Sequence, residues 1–372
     1  MSVTGGFFCL FILEGKTAMK RIVLTGGGTA GHVTPNLALI PRLLKDGWDI
    51  HYIGAANSVE QNLVSEIPGL TYHAVACGKL RRYFDPKNFS DPFRVIKGVF
   101  QATSIIRKLK PDVVFSKGGF VSVPVVYGAK MNGVPIVIHE SDMTPGLANK
   151  LSTPFAKEVL CTFPEAAKLS GEKGVHTGTP IREEILKGDR ARGLKRFGFV
   201  DGRPVLMVVG GSSGAQAINR MLVQALPKLL QSFQVLHLCG RGNLEPSLEG
   251  TVGYKQVEYL DAEMADAYAC ADILISRAGS NTLCEILALR KPALLIPYPK
   301  EASRGDQIMN AESFEARGLS RVLMQEDMTV DSLIKAVIEL YRDRGELFEK
   351  MALEKSANGV ENVLREIYKF AK

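Results

Sequence analysis

The sequence lacks the cysteine patterns that build zinc centres or disulfide frameworks. Its six cysteines are scattered over 372 residues, and no C-x-x-C pair or zinc-type Cys/His cluster occurs among them. This is typical of buried, reduced thiols in a cytosolic protein. Aromatic residues are also few, at 8%, and no nucleic-acid-binding motif is recognisable. A net charge of +7 suggests an anionic partner, and a phosphorylated substrate or a membrane surface is favoured over nucleic acid.

Apolar runs long enough to cross a bilayer are missing as well. The run at residues 7–13 is too short to span one, and no basic residue precedes it, so it makes a poor signal peptide. A strand-like segment begins directly after Met19. We interpret residues 1–18 as a disordered extension or the result of an alternative start codon, and we assign them no function.

The chain does contain a regular alternation of strand-like apolar runs and helical stretches, in two successive series. The predicted strands cover residues 21–25, 49–53, 71–75, 112–115, 135–139 and 158–161, and then 205–209, 234–238, 254–257, 273–276 and 293–297. Such alternation predicts parallel sheets covered by helices on both faces. Because 372 residues exceed what one core usually holds, we expect two doubly wound α/β domains with ligands at the carboxyl ends of their strands.

The first strand runs into GGGTAGHVTP, residues 26–35, which is a glycine turn at the start of a helix. Helix N-termini stabilise phosphate, and we predict Thr34 as the N-cap and Pro35 as the first helical residue. His32 projects from the rim of this turn. An imidazole can take a proton from a hydroxyl near pH 7, although a single histidine is more often structural.

The same turn also has a second interpretation. Gly26, Gly28 and Gly31 spell G-x-G-x-x-G, the fingerprint of an NAD(P)-dependent oxidoreductase. That fingerprint needs a carboxylate at the end of the second strand to bind the ribose hydroxyls. Here the strand ends in YIGAA, residues 52–56, and Asp49 lies at its start. The oxidoreductase is therefore the weaker alternative.

The second series contains a similar unit, SRAGSNTLCE, at residues 276–285. We predict Ser280 or Asn281 as its helix cap, with amides that offer a second anion site. Glu285 either accepts hydrogen bonds from both hydroxyls of a ribose or is a solvated helix carboxylate. No Asp-x-Asp motif occurs, which favours sugar-nucleotide chemistry without a metal ion. Helix N-termini and arginines would then neutralise the leaving group, and we expect neither a metal site nor a cofactor.

Six stretches in one order resemble the MurG family of undecaprenyl-diphospho-muramoylpentapeptide β-N-acetylglucosaminyltransferases. They are GGGTAGHVTP (26–35), SKGGFVSVPV (116–125), HESDMTPGLANK (139–150), TGTPIR (177–182), GGSSGA (210–215) and SRAGSNTLCE (276–285). The resemblance runs from about Met19 to the C-terminus and implies a GT-B fold, with two Rossmann-like domains facing a cleft. It also implies an inverting, metal-independent reaction of peptidoglycan synthesis. N-acetylglucosamine (GlcNAc) passes from UDP-GlcNAc to the C4 hydroxyl of lipid I, giving lipid II. Another UDP-sugar-dependent lipid glycosyltransferase is the nearer alternative.

The resemblance implies a division of labour along the chain. Residues 19–181 would bind the acceptor and face the membrane, residues 182–352 would bind UDP-GlcNAc, and residues 353–372 would form a helix that packs back on the first domain. The expected partners are UDP-GlcNAc, lipid I and the anionic surface at the cytoplasmic face of the bacterial cell membrane, where the protein would be peripheral. Cell-wall synthesis proteins are a further expected class of partner.

Individual roles follow from the family's motifs. His32 and Glu140 are the catalytic candidates, and either can be the base. The expected substrate-binding residues are Thr29, Ala30, Gly31, Arg182, Gly211, Ser212, Ser280, Asn281, Thr282, Glu285 and Gln307. Asp142 replaces the family's usual asparagine, which keeps an acceptor and loses an amide donor. Asp306 stands where the family often has Gln or His, and we assign it no role.

A stretch of interleaved cations and large apolar residues is the expected membrane surface. It comprises Lys79, Leu80, Arg81, Arg82, Tyr83, Phe84, Phe89, Phe93, Arg94 and Lys97. Cations close to an anionic membrane contribute about 1 kcal/mol each to binding. A solvated basic loop is the alternative interpretation.

Overall fold

The computed structural model describes residues 19–78, 87–211, 214–300 and 305–371, with residues 87–91 described by their backbone alone. Two parallel sheets form its framework. The strands of the first half are β1 (Arg21–Thr25), β2 (Asp49–Ala55), β3 (Leu70–Val75), β4 (Val113–Ser116), β5 (Ile136–Glu140), β6 (Glu158–Cys161) and β7 (Gly174–His176). Those of the second half are β8 (Val205–Val209), β9 (Gln234–Leu238), β10 (Tyr254–Val257), β11 (Ile273–Ser276), β12 (Ala293–Leu295) and β13 (Arg321–Val322).

Helices connect the strands and cover the sheets. In the first half they are α1 (Ala30–Lys45), α2 (Val59–Val64), α3 (Lys87–Leu109), α4 (Ser122–Met131), α5 (Leu147–Ser152) and α6 (Pro164–Leu169). In the second half they are α7 (Arg190–Phe197), α8 (Gln216–Leu229), α9 (Met264–Cys270), α10 (Ser280–Ala288), α11 (Asp306–Ala316), α12 (Val330–Ala352) and α13 (Gly359–Tyr368). None of the described helices is both long and apolar enough to cross a membrane.

The sheets have the doubly wound order that the alternating pattern predicts. The first runs β3-β2-β1-β4-β5-β6-β7 and the second β10-β9-β8-β11-β12-β13. All five residues of β8 are buried, as expected for a central strand with helices on both faces. The prediction of two parallel α/β domains is therefore confirmed. The sequence pattern did not predict β7 and β13. These are edge strands of three and two residues, and their apolar runs are too short to be recognised as strands.

The chain returns to the first domain at its C-terminus. Val363, Leu364 and Ile367 of α13 are buried in the same core cluster as the β1 residues Ile22 and Leu24. Burying side chains of this size contributes about 1.5–3 kcal/mol each. The Trp48 and Tyr368 rings stack beside them, with centroids 5.3 Å apart. The last helix therefore links the two domains by packing.

Candidate active site

Two glycine turns of the first domain meet at the carboxyl ends of β1 and β4. The Gly27 amide donates to the Gly118 carbonyl at 3.4 Å. A Cβ on Gly119 would lie 2.1 Å from the Gly27 oxygen, and a Cβ on Gly28 would lie 2.4 Å from the Phe120 ring. Gly28 and Gly119 also have positive φ angles, of 85° and 80°. Glycine is therefore required here both for the conformation and for the close approach.

The helix after the first turn begins earlier than the sequence predicted. Thr29 has extended backbone angles at the N-cap, and α1 starts at Ala30. Thr34 lies inside the helix, where its hydroxyl donates to the Ala30 carbonyl at 3.0 Å. The prediction of Thr34 as the N-cap was therefore wrong. Proline is favoured in the first turn of a helix, but its presence does not show where the helix begins, and Pro35 lies more than one turn after the start of α1. The exposed Thr29 and Ala30 and the half-buried Gly31 therefore form the N-terminus itself.

A buried carboxylate that sequence reasoning missed closes one side of this turn. Glu60 is 0% exposed, and its two oxygens accept from the amides of Gly28 and Ala55, both at 3.1 Å. Ala55 ends β2, where a dinucleotide-binding domain would need its ribose-binding carboxylate free. Glu60 was not found because it lies in α2, beyond the positions that the fingerprint specifies. An amide bonded to an internal carboxylate is not available to a diphosphate.

His32 lies in the first turn of α1 and is half-buried. It lines a cavity of about 810 Å³ together with Phe120, Glu140 and Asp142. The structure thus brings both catalytic candidates, His32 and Glu140, to one cavity. The rest of its wall is largely apolar and comes from α3, α4 and α5.

Glu140 is held by four hydrogen bonds. One carboxylate oxygen accepts from the amides of Ser141 and Asp142, at 2.9 and 3.2 Å. The other accepts from the Gly146 amide at 3.1 Å and from the Asn149 side-chain amide at 2.8 Å. Burial raises the pKa of the Glu140 carboxyl, and these donors oppose that rise. Glu140 therefore organises the loop that follows β5, with most of its acceptor capacity in use.

A second missed residue, Lys117, lies beneath the same loop. Its side chain is 1% exposed, and its ammonium donates to the Ser141 hydroxyl. Burial lowers the pKa of Lys117 to about 8, although the negative charges of Glu140 and Asp142 act in the opposite direction. The feature of the sequence that could have identified Lys117 is its position directly after β4 and before two glycines. The buried cation offsets part of the negative charge of Glu140 and Asp142 in this part of the cleft.

The turn after β11 opens on the cleft in a different way. Gly279 is the N-cap of α10, which begins at Ser280, so the prediction of Ser280 or Asn281 as the cap was wrong by one or two residues. Gly279 has the extended angles typical of an N-cap, and a Cβ there would meet no atom within 4 Å. Ser280, Asn281 and Thr282 are the first three helical residues, whose amides have no acceptor within the helix. They line a pocket of about 440 Å³, together with Asp142, Asp306 and Gln307.

Glu285 is not a solvated helix carboxylate. The Tyr268 hydroxyl, on a side chain that is 1% exposed, donates to one Glu285 oxygen at 3.0 Å. Burial raises the pKa of Glu285, against the opposing positive charge of Arg182. Burial also holds the pKa of Tyr268 well above its ordinary range, so the phenol stays a donor. The structure thus brings together two predicted donor-binding residues, Arg182 and Glu285, and adds Tyr268.

Helix α11 of the second domain binds the loop after β5. The Asn310 side chain accepts from the Met143 amide and donates to Asp142, both at 3.2 Å. The Thr144 hydroxyl donates to Asp306. Asp142, at the position where an asparagine was expected, is thus one of two acceptors of the Asn310 amide group, the other being the Ala278 carbonyl.

The remaining predicted residues have simpler surroundings. Gly211 is exposed with φ of +88°, and a Cβ there would meet open space. The Gln307 side chain accepts from the Tyr298 amide at 3.2 Å. Ser212 lies outside the described residues. Within the described part of the chain, no group of three or more His, Cys, Asp or Glu side chains is arranged to hold a metal ion.

Comparison with known proteins first defines the class. Residues 22–161 match the glycosyltransferase family 28 N-terminal domain, and residues 205–365 match the glycosyltransferase family 28 C-terminal domain. The two parallel-sheet domains and the cleft between them are those of a GT-B glycosyltransferase. A kitacinnamycin glycosyltransferase of 16% identity, with a TM-score of 0.72, shares this fold.

Longer matches then identify the family. The chain is 51% identical over 355 residues to the UDP-N-acetylglucosamine–N-acetylmuramyl-(pentapeptide) pyrophosphoryl-undecaprenol N-acetylglucosamine transferase of Clostridium botulinum strain Langeland, covering 95% of this chain and 100% of the relative. A Bacillus cereus transferase of the same description is 56% identical over 346 residues, covering 93% and 97%. The crystal structure of Acinetobacter baumannii MurG matches with a TM-score of 0.76 and 26% identity, over 94% and 99%. The chain belongs to the MurG family.

Proposed function

We propose that this chain transfers GlcNAc from UDP-GlcNAc to the C4 hydroxyl of lipid I, giving lipid II. Besides family membership, the observation that carries this proposal is the meeting of two helix N-termini across the cleft. The Asn281 side chain in the first turn of α10 donates to the Gly31 carbonyl in the first turn of α1, at 3.1 Å. Two sites that favour phosphate therefore lie side by side, one for each diphosphate substrate.

The donor site is on the second domain. The free amides at the start of α10 would bind the diphosphate of UDP-GlcNAc, with Glu285 on the ribose and Gln307 near the sugar. The charge of Arg182 and the positive end of α10 would stabilise the UDP that leaves, and no metal ion takes part in this scheme. Thr29, Ala30 and Gly31 would bind the acceptor's diphosphate on the opposite side of the cleft.

His32 is the proposed general base. It takes the proton of the C4 hydroxyl as that oxygen attacks the anomeric carbon of GlcNAc from the side opposite UDP. The bond from that carbon to the UDP oxygen breaks, the electron pair leaves with UDP, and the configuration at the carbon inverts. The four hydrogen bonds at Glu140 support a positioning role for that carboxylate, because both of its oxygens already accept from the loop.

We place the membrane contact on α3. Phe93, Ile96 and Phe100 are 75%, 54% and 66% exposed on this helix, which also carries Lys97. Large exposed apolar side chains beside cations suit an anionic membrane surface. Residues 79–84 of the predicted membrane stretch lie outside the described residues, as does the Phe89 side chain. Binding to anionic vesicles should weaken with salt and in the double variant Phe93→Ser/Phe100→Ser. Cell-wall synthesis proteins stay a predicted class of partner.

One incubation tests the reaction. Labelled UDP-GlcNAc with a short-chain lipid I analogue should give labelled disaccharide product and UDP, equally well with excess EDTA. Loss of turnover in EDTA that Mg²⁺ restores would contradict the metal-independent scheme. Tight NAD(P) binding without UDP binding would instead revive the oxidoreductase, which Glu60 disfavours by occupying the Gly28 amide.

A further inference from the structure

We propose that the Asn281 side chain is a positioning residue that couples the donor-binding helix to the acceptor-binding turn, and that it is not a ligand of the nucleotide. Its amide group donates to the Gly31 carbonyl across the domain boundary at 3.1 Å. This inference rests on the proposed function, since it takes UDP to bind at the start of α10. In this scheme the backbone amide of Asn281 binds the donor, and its side chain binds the acceptor-binding turn.

The Gly31 carbonyl accepts this bond because its own helix cannot use it. In an α-helix the carbonyl of residue 31 accepts from the amide of residue 35, and residue 35 is a proline without an N–H. A Cβ on Gly31 would lie 3.4 Å from the Asn281 nitrogen, at the limit of ordinary van der Waals contact. Pro35 thus leaves the Gly31 carbonyl without its helical donor in the first turn of α1, and Asn281 binds it.

The position of Asn281 makes the coupling specific to bound donor. Asn281 is the second residue of α10, so its backbone amide is among those that have no acceptor within the helix. A diphosphate at these amides fixes the first turn of α10 and, with it, the direction of the Asn281 side chain. Donor binding should therefore stabilise the first turn of α1, where His32 and the acceptor-binding residues lie.

Other contacts allow Asn281 to be changed without separating the domains. Asn310 of α11 bonds to Asp142 and Met143, and the Ser313 hydroxyl donates to Glu165 at 3.1 Å. Asn281→Ala should therefore fold normally, which thermal unfolding checks. Ser313→Ala is the matched control, because it removes an interdomain hydrogen bond of similar length that touches neither turn.

The test measures donor binding and its effect on α1 separately. In wild-type protein, UDP should protect the amides of both α10 and the first turn of α1 from hydrogen exchange. In Asn281→Ala, UDP affinity measured by calorimetry should stay within about twofold, and the protection of α1 should be lost while that of α10 remains. The value of kcat/KM for the acceptor should fall roughly three- to tenfold, as expected for one hydrogen bond. Ser313→Ala should keep both protections.

Pro35→Ala provides a second, independent check. In this variant, residue 35 would offer the Gly31 carbonyl the helical N–H that proline lacks. Asn281→Ala should therefore reduce kcat/KM less in the Pro35→Ala background than in wild type. An additive result in this cycle would overturn the coupling.

Two further outcomes would also overturn the inference. If Asn281→Ala weakens UDP or UDP-GlcNAc binding by the same factor as kcat/KM, the side chain is a donor ligand. If wild-type protein binds UDP and transfers GlcNAc but Asn281→Ala behaves identically, the inference alone fails. If the wild type neither binds UDP nor transfers GlcNAc, the proposed function fails and this inference with it.

Discussion

The turn after β1 and the turn after β11 look alike in sequence, and each leads from a buried strand through small residues into a helix. In the first, the Gly28 amide bonds to the buried carboxylate of Glu60 at 3.1 Å. In the second, Ser280, Asn281 and Thr282 line an open pocket of about 440 Å³. The first turn is thus partly closed by an internal anion, which leaves the helix start at residues 29–32 as its open part. A glycine turn is available to phosphate only where no side chain of the protein has already bound its amides.

The largest expected effect is that of His32→Ala, which tests whether the first turn contributes to catalysis while the second domain binds the nucleotide. His32→Ala should lower kcat about 10²–10⁴-fold, as removal of a general base typically does, while UDP affinity stays nearly unchanged. Steady-state kinetics and UDP calorimetry measure the two quantities. A near-normal kcat would move the base to Glu140 and remove the catalytic role from the first turn.

A substitution of Glu60 tests whether its carboxylate stabilises the first turn. Glu60→Ala leaves the amides of Gly28 and Ala55 buried without an acceptor, so the free energy of unfolding should fall by about 2–4 kcal/mol. Urea unfolding measures this loss. The control Glu66→Ala changes an exposed carboxylate nearby and should have little effect. Equal losses in the two variants would show that Glu60 does not hold the turn.

Glu285 tests the donor unit. Glu285→Ala should weaken UDP-GlcNAc binding about ten- to a hundredfold, since a charged acceptor contributes roughly 1.5–3 kcal/mol. Wild-type protein should bind a 2′-deoxyribose donor less tightly than the normal donor, and the variant should barely distinguish the two. Tyr268→Phe should give a smaller loss, because the carboxylate stays but its orientation is freed. Unchanged discrimination in Glu285→Ala would place the ribose elsewhere.

The last test concerns the charge beneath the first turn. Lys117 has a folded-state pKa of about 8 against an ordinary value of 10.5, so the unfolded chain binds more protons between these values. The contribution of Lys117 to stability is therefore least favourable below pH 8 and improves as the pH rises to 10.5. The stability of Lys117→Met relative to wild type should therefore be most favourable below pH 8 and should fall as the pH rises towards 10.5, which urea unfolding at a series of pH values measures. Lys130→Met, at an exposed site, should show no such trend.

Much of the fold and of the site could be predicted from the sequence. The strands β1, β6, β8, β9, β10 and β11 have the predicted bounds. Most of them are buried, largely apolar runs between turn residues, as expected for parallel strands, whereas β10 is an edge strand with an exposed Lys255. Helix starts were less accurate. Both α1 and α10 begin beside a residue whose extended angles set the cap, and neither cap makes a side-chain hydrogen bond. A rule based on capping side chains therefore wrongly predicted Thr34 as one cap and Ser280 or Asn281 as the other.

The sequence by itself determined the two parallel sheets, the positions of the turns and the nearness of His32 to a helix start, because these depend on residues adjacent in the chain. The tertiary structure alone decided which polar groups meet. Glu60 reaches the Gly28 amide across 32 positions, Asn281 reaches the Gly31 carbonyl across 250, and Asn310 reaches Asp142 across 168. The physical reason is that a buried polar atom must find a partner wherever packing places one. That choice depends on how the two domains fit together.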